Sequence, residues 1–240
     1  MMMNLKDAFL DARKRYKIRR SKPQLWHFRE QGFGYIQIPK VATRSIRQAL
    51  FDMSGARDPN EAFPAFESRN SAHLSHARIR EEVDRGLFVF AFVRHPLARL
   101  YSAWMNKIVR TEDAAKRNIF SCHGMHDGMP FDAFVRRVSE LQDEQLDRHL
   151  RSQAWFLSDA TGLLPGFVGK LERFDEDWRL LRERLPVLGD VPHKNKASHG
   201  MDFLEPYDEE TLALAIARFR RDFALFGYEL PSAGHSRVAV

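Results

Sequence analysis

The sequence predicts an α/β domain with a mainly parallel central sheet flanked by helices. Residues 87–93 (Leu-Phe-Val-Phe-Ala-Phe-Val) form an unbroken apolar run, which is typical of a strand covered on both faces of a parallel sheet. Residues 33–38 alternate apolar with small or polar residues until Pro39, which cannot donate a ladder hydrogen bond. Apolar residues with helical spacing follow each segment, so strands and helices alternate along the chain.

The remaining elements are predicted from the same periodicities. Apolar residues three or four apart predict further helices at 5–16, 75–85, 131–138, 174–185 and 209–223. Residues 166–172 have the pattern of a strand, and polar or Gly- and Pro-rich composition predicts loops at 54–70, 111–129 and 187–200. We expect an N-terminal helical and basic arm (1–30), one main domain (31–230) and a flexible tail (231–240).

Length and composition indicate a soluble protein. The chain has 240 residues, enough to bury a large core, and its longest strongly apolar run is far too short to cross a bilayer. The first residues lack the apolar centre of a signal peptide. Cys122 is the single cysteine, which excludes an internal disulfide and a cysteine metal cluster, so a reducing compartment is expected.

The net charge of +6 favours anionic partners, among them nucleotides, acidic glycans, nucleic acid and membrane surfaces. Most of one basic run lies between Arg13 and Lys22. Such a run is more often a solvated helix face or an arm than a contact for nucleic acid or lipid.

Residues 40–45 mark a turn from strand into helix. The first amides of a helix have no carbonyl partners and carry partial positive charge, so this turn suits a phosphate-type anion. The proposed contacts are Lys40, Ala42, Thr43, Arg44 and Ser45. A Walker loop is excluded because no glycine lies between residues 34 and 55; a plain strand-to-helix connection with an incidental lysine remains an alternative.

A second pair of candidate anion-binding residues follows the apolar strand. Arg94 closes that strand, and Ser102 lies about two turns into the next helix. A guanidinium and a hydroxyl at the carboxyl end of a parallel strand suit a terminal phosphate. The alternative is that Arg94 is a salt-bridged capping residue and Ser102 an ordinary packing serine.

With both turns in order, the chain resembles the PAPS-dependent carbohydrate sulfotransferases, in the branch that holds Golgi glycan O-sulfotransferases and many bacterial relatives. Residues 39–46 (Pro-Lys-Val-Ala-Thr-Arg-Ser-Ile) resemble the family's 5′-phosphosulfate loop, and residues 93–103 its 3′-phosphate motif. Weaker similarities follow at 149–153 (His-x-x-x-Gln), 168–172 (Val-Gly-x-x-Glu) and 222–228 (Asp-x-x-x-Phe-Gly-Tyr). His95 departs from the acidic or amide residue usual after the arginine. The resemblance implies a P-loop-like three-layer domain.

The resemblance also implies a donor, a product and roles for residues. The donor would be PAPS, the product PAP, and the acceptor a hydroxyl, expected on a saccharide or glycolipid. Lys40 and the amides of 42–45 would hold the phosphosulfate, and Arg94 with Ser102 the 3′-phosphate. Asn195 and Lys196 lie where the family often has a flexible loop over the nucleotide.

The acceptor hydroxyl needs a base, and histidine suits neutral pH. His73 and His76 are the catalytic candidates, with His73 first and Glu67 as a fallback; that both are surface histidines of a loop is the alternative. His149 is expected to be structural or to face the acceptor.

Other functional classes remain open. The chain could be a catalytically silent PAP- or nucleotide-binding module, or a nucleic-acid-binding protein that uses the basic arm. No metal site is expected, although Cys122, His123 and His126 lie close in sequence. A P-loop kinase is disfavoured because the Mg²⁺-binding Ser/Thr after the loop lysine is missing. Because the Golgi relatives carry a membrane anchor that this sequence lacks, a bacterial cytoplasmic enzyme is expected, unless the chain is a truncated luminal domain.

Overall fold

A computed structural model describes residues 5–55, 62–109, 119–191 and 203–231, with only the backbone described at 5–8. The helices are α1 (Leu5–Arg19), α2 (Thr43–Gly55), α3 (Phe63–Asn70), α4 (His76–Asp84), α5 (Pro96–Trp104), α6 (Phe131–Ser139), α7 (Gln153–Leu157), α8 (Phe174–Arg184), α9 (Glu209–Arg218) and α10 (Arg220–Phe226). The strands are β1 (Gln24–Phe28), β2 (Phe33–Gln37), β3 (Ser71–His73), β4 (Phe88–Val93), β5 (Ser158–Asp159), β6 (Gly162–Leu163) and β7 (Phe167–Lys170).

The chain divides into two compact units. The first consists of residues 1–21, 95–154 and 202–240, and the second of residues 22–94 and 155–201. The five-stranded sheet belongs entirely to the second unit.

This sheet has the strand order β3-β1-β2-β4-β7. β2 pairs in parallel with β4, and β4 in parallel with β7, whereas β1 pairs antiparallel with both β2 and β3. Four strands therefore run in one direction and β1 runs against them. The predicted fold class, a mainly parallel sheet flanked by helices, is confirmed.

Helices cover both faces of the sheet within this second unit. On one face, Trp26 packs against Phe66 of α3, and Phe92 against Trp178 of α8. The neighbouring residue His27 points to the opposite face, where it lies 4.0 Å from Glu82 of α4. β4 is buried along nearly its whole length, as its continuous apolar sequence predicts.

The first unit is helical and has its own core, to which α5, α6, α9 and α10 contribute. In this core, the Tyr207 hydroxyl donates a buried hydrogen bond of 3.0 Å to the Leu97 carbonyl. The fully buried side chains of this core include Leu97, Phe120, Phe134, Val135, Val138, Leu146, Leu150 and Ala215.

Three local predictions need correction. Residues 24–28, for which the sequence predicts no strand, form β1. The loop predicted for 54–70 contains α3, because Phe63 and Phe66 pack on Trp26 and offset the weak helical pattern. The helix predicted for 209–223 is two helices that meet at Phe219. Parts of three predicted segments lie outside the described residues. They are 111–118 in the predicted loop 111–129, 192–200 in the predicted loop 187–200, and 232–240 in the predicted tail 231–240.

Candidate active site

The turn between β2 and α2 has the backbone shape of an anion-binding nest. Lys40 has φ 72° and Ala42 has φ 42°, both in the left-handed region that residues other than glycine rarely adopt. Alternation of left- and right-handed residues turns successive amides toward one point, and such concavities bind anions. The Thr43 hydroxyl donates to the Ile38 carbonyl at 2.9 Å and closes the turn. We call residues 38–45 the nest loop.

The side chains of the nest loop differ in accessibility. Arg44 is exposed, Lys40, Ala42 and Thr43 are half-buried, and Ser45 is buried. Ala42 directly precedes α2, and its carbonyl accepts from the Ile46 amide at 3.1 Å. The anion site that the sequence predicts at this turn therefore has a matching backbone geometry.

Arg94 lies at the same edge of the sheet as the nest loop. β2 and β4 are parallel neighbours, with Tyr35 opposite Phe90, so the residues that follow both strands emerge side by side. Arg94 follows β4 directly and is half-buried. Ser102 is half-buried in α5, which belongs to the first unit. Asn195 and Lys196 lie outside the described residues.

His73 also lies at this edge. Gln24 of β1 pairs with Gln37 of β2 on one side and with His73 of β3 on the other. His73 is thus in register with Gln37, which lies three residues before Lys40. The backbones of His73 and Gln37 are two strand spacings, or about 10 Å, apart. Its ring is exposed.

The tautomer of His73 follows from its hydrogen bond. Its Nδ1 lies 3.1 Å from the Lys22 carbonyl oxygen. A carbonyl can only accept, so Nδ1 carries the hydrogen and Nε2 has the lone pair. The arrangement leaves an exposed basic nitrogen on a ring whose other nitrogen is held by the backbone.

The other two base candidates are engaged in different contacts. Nε2 of His76 lies 2.5 Å from the Trp155 carbonyl oxygen and must therefore donate to it. His76 also packs edge-on against the Trp155 ring. Glu67 forms an ion pair with Arg47 at 2.6 Å and accepts from Gln24 at 3.3 Å. His73 and His76 therefore each keep one ring nitrogen with a lone pair, Nε2 in His73 and Nδ1 in His76.

In the first unit, His149 forms a pair with Asp147 that the sequence pattern does not predict. Its Nδ1 lies 2.6 Å from Asp147 Oδ1, and the backbone amide of Asp147 donates to Nε2 of His123 at 3.1 Å. Burial lowers the pKa of His149, and burial lowers the pKa of His123 to about 4. Within the described residues, no group of three His, Cys, Asp or Glu is placed to hold a metal ion.

Two of the weaker motifs meet in the first unit. Asp222, completely buried, accepts from the backbone amides of Gln153 at 2.9 Å and Ala154 at 2.7 Å. These motifs therefore stabilise the start of α7. His95, the departure from the family pattern, lies among aromatic rings, with ring centroids 5.5 Å from Phe223 and 5.3 Å from Tyr228.

A cleft of about 740 Å³ lies beside β1 and β3. Its lining includes His27 and Phe28, at the end of β1 farthest from Gln37, and Ala72 and Leu74, which flank His73. The geometry of the nest loop, Arg94 and His73 defines the candidate site independently of this cleft.

The mainly parallel α/β sheet, with a nest-shaped turn after β2, is consistent with the P-loop-like fold of the sulfotransferases. The chain belongs to the sulfotransferase family, whose model matches residues 23–229.

Its similarity to particular proteins lies within the carbohydrate sulfotransferases. The chain is 25% identical over 231 residues to carbohydrate sulfotransferase 14 of Danio rerio, which covers 85% of this chain and 61% of the relative. It is 25% identical to carbohydrate sulfotransferase 14 of Homo sapiens, and the match covers 83% of this chain and 58% of the relative. It is 23% identical to carbohydrate sulfotransferase 11 of Mus musculus, and the match covers 82% of this chain and 65% of the relative. The chain thus spans less than two thirds of the length of these relatives. No solved structure matches.

The described helices include none that is long and apolar enough to cross a membrane.

Proposed function

We propose that this protein transfers a sulfuryl group from PAPS to a hydroxyl group of a carbohydrate and releases PAP. The observation that carries the proposal is the nest loop, with its left-handed Lys40 and Ala42, at the same sheet edge as Arg94. Family membership and the carbohydrate sulfotransferase relatives support the reaction class.

The nest loop would hold the phosphosulfate end of the donor. The amides of residues 42–45 would bind its oxygens, and Lys40 would lie near the bridging oxygen. In the reaction, the acceptor oxygen forms a bond to sulfur while the bond from sulfur to that bridging oxygen breaks, and PAP leaves with the electron pair. Sulfuryl transfer passes through a loose, in-line transition state, so positioning and charge stabilisation supply most of the catalysis. Thr43, Arg44 and Ser45 belong to this part of the proposal.

The 3′-phosphate would bind Arg94 through its guanidinium fork, with Ser102 as a further donor. Asn195 and Lys196, which lie outside the described residues, stay as proposed donor contacts because of the family resemblance. PAP carries phosphate groups at two ends, so the proposal requires two separate anion contacts.

His73 is the base we propose for the acceptor proton. Its Nε2 lone pair is exposed, and its Nδ1 hydrogen is held by the Lys22 carbonyl. The acceptor hydroxyl would give its proton to Nε2 as the new bond to sulfur forms. His76, whose Nε2 donates to Trp155, is the second candidate.

A saccharide or glycolipid is the proposed acceptor, and the cytoplasm is the proposed compartment. The relatives' names support the carbohydrate, and the single cysteine suits a reducing compartment.

Thermal unfolding with PAP, ATP or NAD tests the donor. A ligand that binds the native state at one hundred times its Kd stabilises by about 2.7 kcal/mol. We expect PAP to raise Tm by several degrees and ATP and NAD to have little effect. Arg94→Ala should lose the PAP shift, whereas Arg85→Ala, at an exposed surface arginine, should keep it. Equal shifts with all three ligands would contradict PAPS as the donor.

Transfer itself separates an enzyme from a silent PAP-binding module. Radiolabelled PAPS is incubated with unsulfated chondroitin, heparosan and dextran, and label in the polymer is counted. PAP binding without any label transfer and without PAP release in water would favour the silent module.

A further inference from the structure

A series of side-chain hydrogen bonds joins the strand that leads into the nest loop to the strand that carries His73. Gln24 of β1 lies at its centre. Its Oε1 accepts from Nε2 of Gln37 at 3.1 Å, and its Nε2 donates to the Ser71 hydroxyl at 3.1 Å. Gln24 and Gln37 are each only 6% exposed, so the bond between them is shielded from water.

The orientation of both amides is fixed by Trp26. The indole nitrogen can only donate, and it lies 3.0 Å from Oε1 of Gln37. Nε2 of Gln37 must then face Gln24, which has to present its own oxygen. The Nε2 of Gln24 is left to donate away from β2, toward β3 and α3.

An ion pair connects the same nitrogen, Nε2 of Gln24, to α2, the helix that follows the nest loop. Nε2 of Gln24 donates to Glu67 at 3.3 Å, and the other oxygen of Glu67 lies 2.6 Å from Arg47 of α2. The guanidinium of Arg47 lies over the rings of Phe63 and Trp26, 4.6 Å and 5.3 Å from their centroids. The network therefore holds β2 before the nest loop and α2 after it.

We infer that Gln24 is a positioning residue that keeps the donor loop and the base at a fixed spacing. The inference rests on the proposed function, in which the nest loop holds the sulfuryl donor and His73 takes the proton. β1 is the strand between β2 and β3, and Gln24 faces Gln37 and His73 in the register. In-line transfer is sensitive to such spacing, since a shift of about 1 Å can cost on the order of one hundredfold in rate.

Gln24→Glu tests the inference. This substitution keeps the acceptor for Gln37 and can accept from the Ser71 hydroxyl, but it removes the donor to Glu67 and places a second carboxylate beside Glu67. We expect kcat to fall at least tenfold while the Kd for PAP changes less than threefold, because the nest amides remain. A purely structural residue would instead lower Tm and leave kcat per folded molecule unchanged.

Exchange of the two side chains should restore activity. In the Gln24→Glu, Glu67→Gln double variant, the new amide at 67 donates to the carboxylate at 24 and its oxygen still accepts from Arg47. We expect kcat within threefold of the parent. Gln48→Glu is the matched control, because Gln48 on α2 bonds Asp52 at 2.7 Å near the surface and gives the same kind of carboxylate pair. It should keep the parental kcat.

Ser71→Ala covers the case in which Gln24→Glu does not fold. Ser71 is half-buried, so its loss leaves the core intact and removes only the bond toward β3. We expect a threefold or greater loss of kcat, and no loss for Ser139→Ala, whose hydroxyl bonds the Val135 carbonyl of its own helix.

The rates are measured with radiolabelled PAPS and the three polysaccharides, together with PAP release in water, where water takes the acceptor's place. Parental kcat in folded Gln24→Glu, or in Ser71→Ala when Gln24→Glu is unfolded, would overturn the inference. A parent protein that neither binds PAP nor consumes PAPS would overturn the proposed function, and the positioning role with it.

Discussion

The carboxylate of Asp222 caps the helix that begins at Gln153: its Oδ2 lies 2.9 Å from the Gln153 backbone nitrogen. Its other oxygen accepts from the Ala154 amide at 2.7 Å. Two short motifs, nearly seventy residues apart in the chain, thus form one structural contact. Asp222 and Gln153 act on the start of α7, so their role follows from buried amide groups that need an acceptor.

Asp222→Ala should destabilise the protein by about 3 kcal/mol, because two buried amides lose a charged acceptor. Burial raises the pKa of Asp222 to about 6, well above its value in the unfolded chain. The native state then binds the extra proton between pH 4 and 6, so the parent gains stability from this group as the pH falls.

Urea unfolding at pH 7 and pH 5 measures this effect. The cost of Asp222→Ala should be larger at pH 5, by about 1 kcal/mol. Asp175→Ala, which removes a carboxylate in the first turn of α8, provides the control. A cost that shrinks on acidification would contradict the raised pKa.

His123 should have the opposite pH dependence. Burial lowers its pKa to about 4, and its Nε2 must stay unprotonated to accept from the Asp147 amide. The unfolded chain binds the proton more readily below pH 6.5, so stability is lost as the pH falls toward 4. At pH 5 the titration of His123 lowers the free energy of unfolding by about 2 kcal/mol.

His123→Gln keeps an acceptor for the amide and removes the titration. Relative to the parent, we expect this variant to gain about 2 kcal/mol between pH 7 and pH 5 in urea unfolding. His126→Gln, at an exposed histidine, should follow the parent. An identical pH dependence in all three proteins would exclude a buried neutral His123.

Gly169 should not tolerate alanine. A Cβ at this position of β7 would overlap the ring of Phe92 on the neighbouring strand. We expect Gly169→Ala to lower the free energy of unfolding by about 1–3 kcal/mol through overpacking. Gly189→Ala, where a Cβ would meet no atom within 4 Å, should be nearly neutral in the same denaturant titration.

Ala42 should accept glycine but not valine. At φ 42° a β-branched residue is strongly strained, so Ala42→Val should cost about 2 kcal/mol and remove the Tm shift with PAP. Ala42→Gly relieves that strain and should keep the shift. The exposed Ala62, with φ −73°, offers Ala62→Val as a control that leaves stability and PAP binding unchanged. A stable Ala42→Val protein with normal PAP binding would argue against the nest.

His73→Ala should lower kcat by about one hundredfold and leave the Kd for PAP unchanged, as expected on removal of a general base. Initial rates with labelled PAPS and calorimetric titration with PAP give the two quantities. His126→Ala is the histidine control. Dependence of transfer on His76 in place of His73 would assign the base to the second candidate.

The amino-acid sequence determined the fold class, most helices, the three strands β2, β4 and β7, and the position of the nest loop. These features depend on local information: the apolar run of β4, the alternation in β2, and Pro39 at the end of its strand. The residues that we propose for anion binding are likewise close together in the chain, so Lys40 to Ser45 could be recognised as a group.

Only the tertiary structure decided what depends on residues distant in the chain. β1 has no distinctive pattern of its own and is stabilised by its two neighbouring strands, and α3 is stabilised by packing of Phe63 and Phe66 on Trp26. The tautomer of His73 depends on the Lys22 carbonyl, and the pairing of Gln24 with Glu67 depends on the register of β1. Such contacts join groups that sequence periodicity cannot relate, because their distance is set by the packing of the whole sheet.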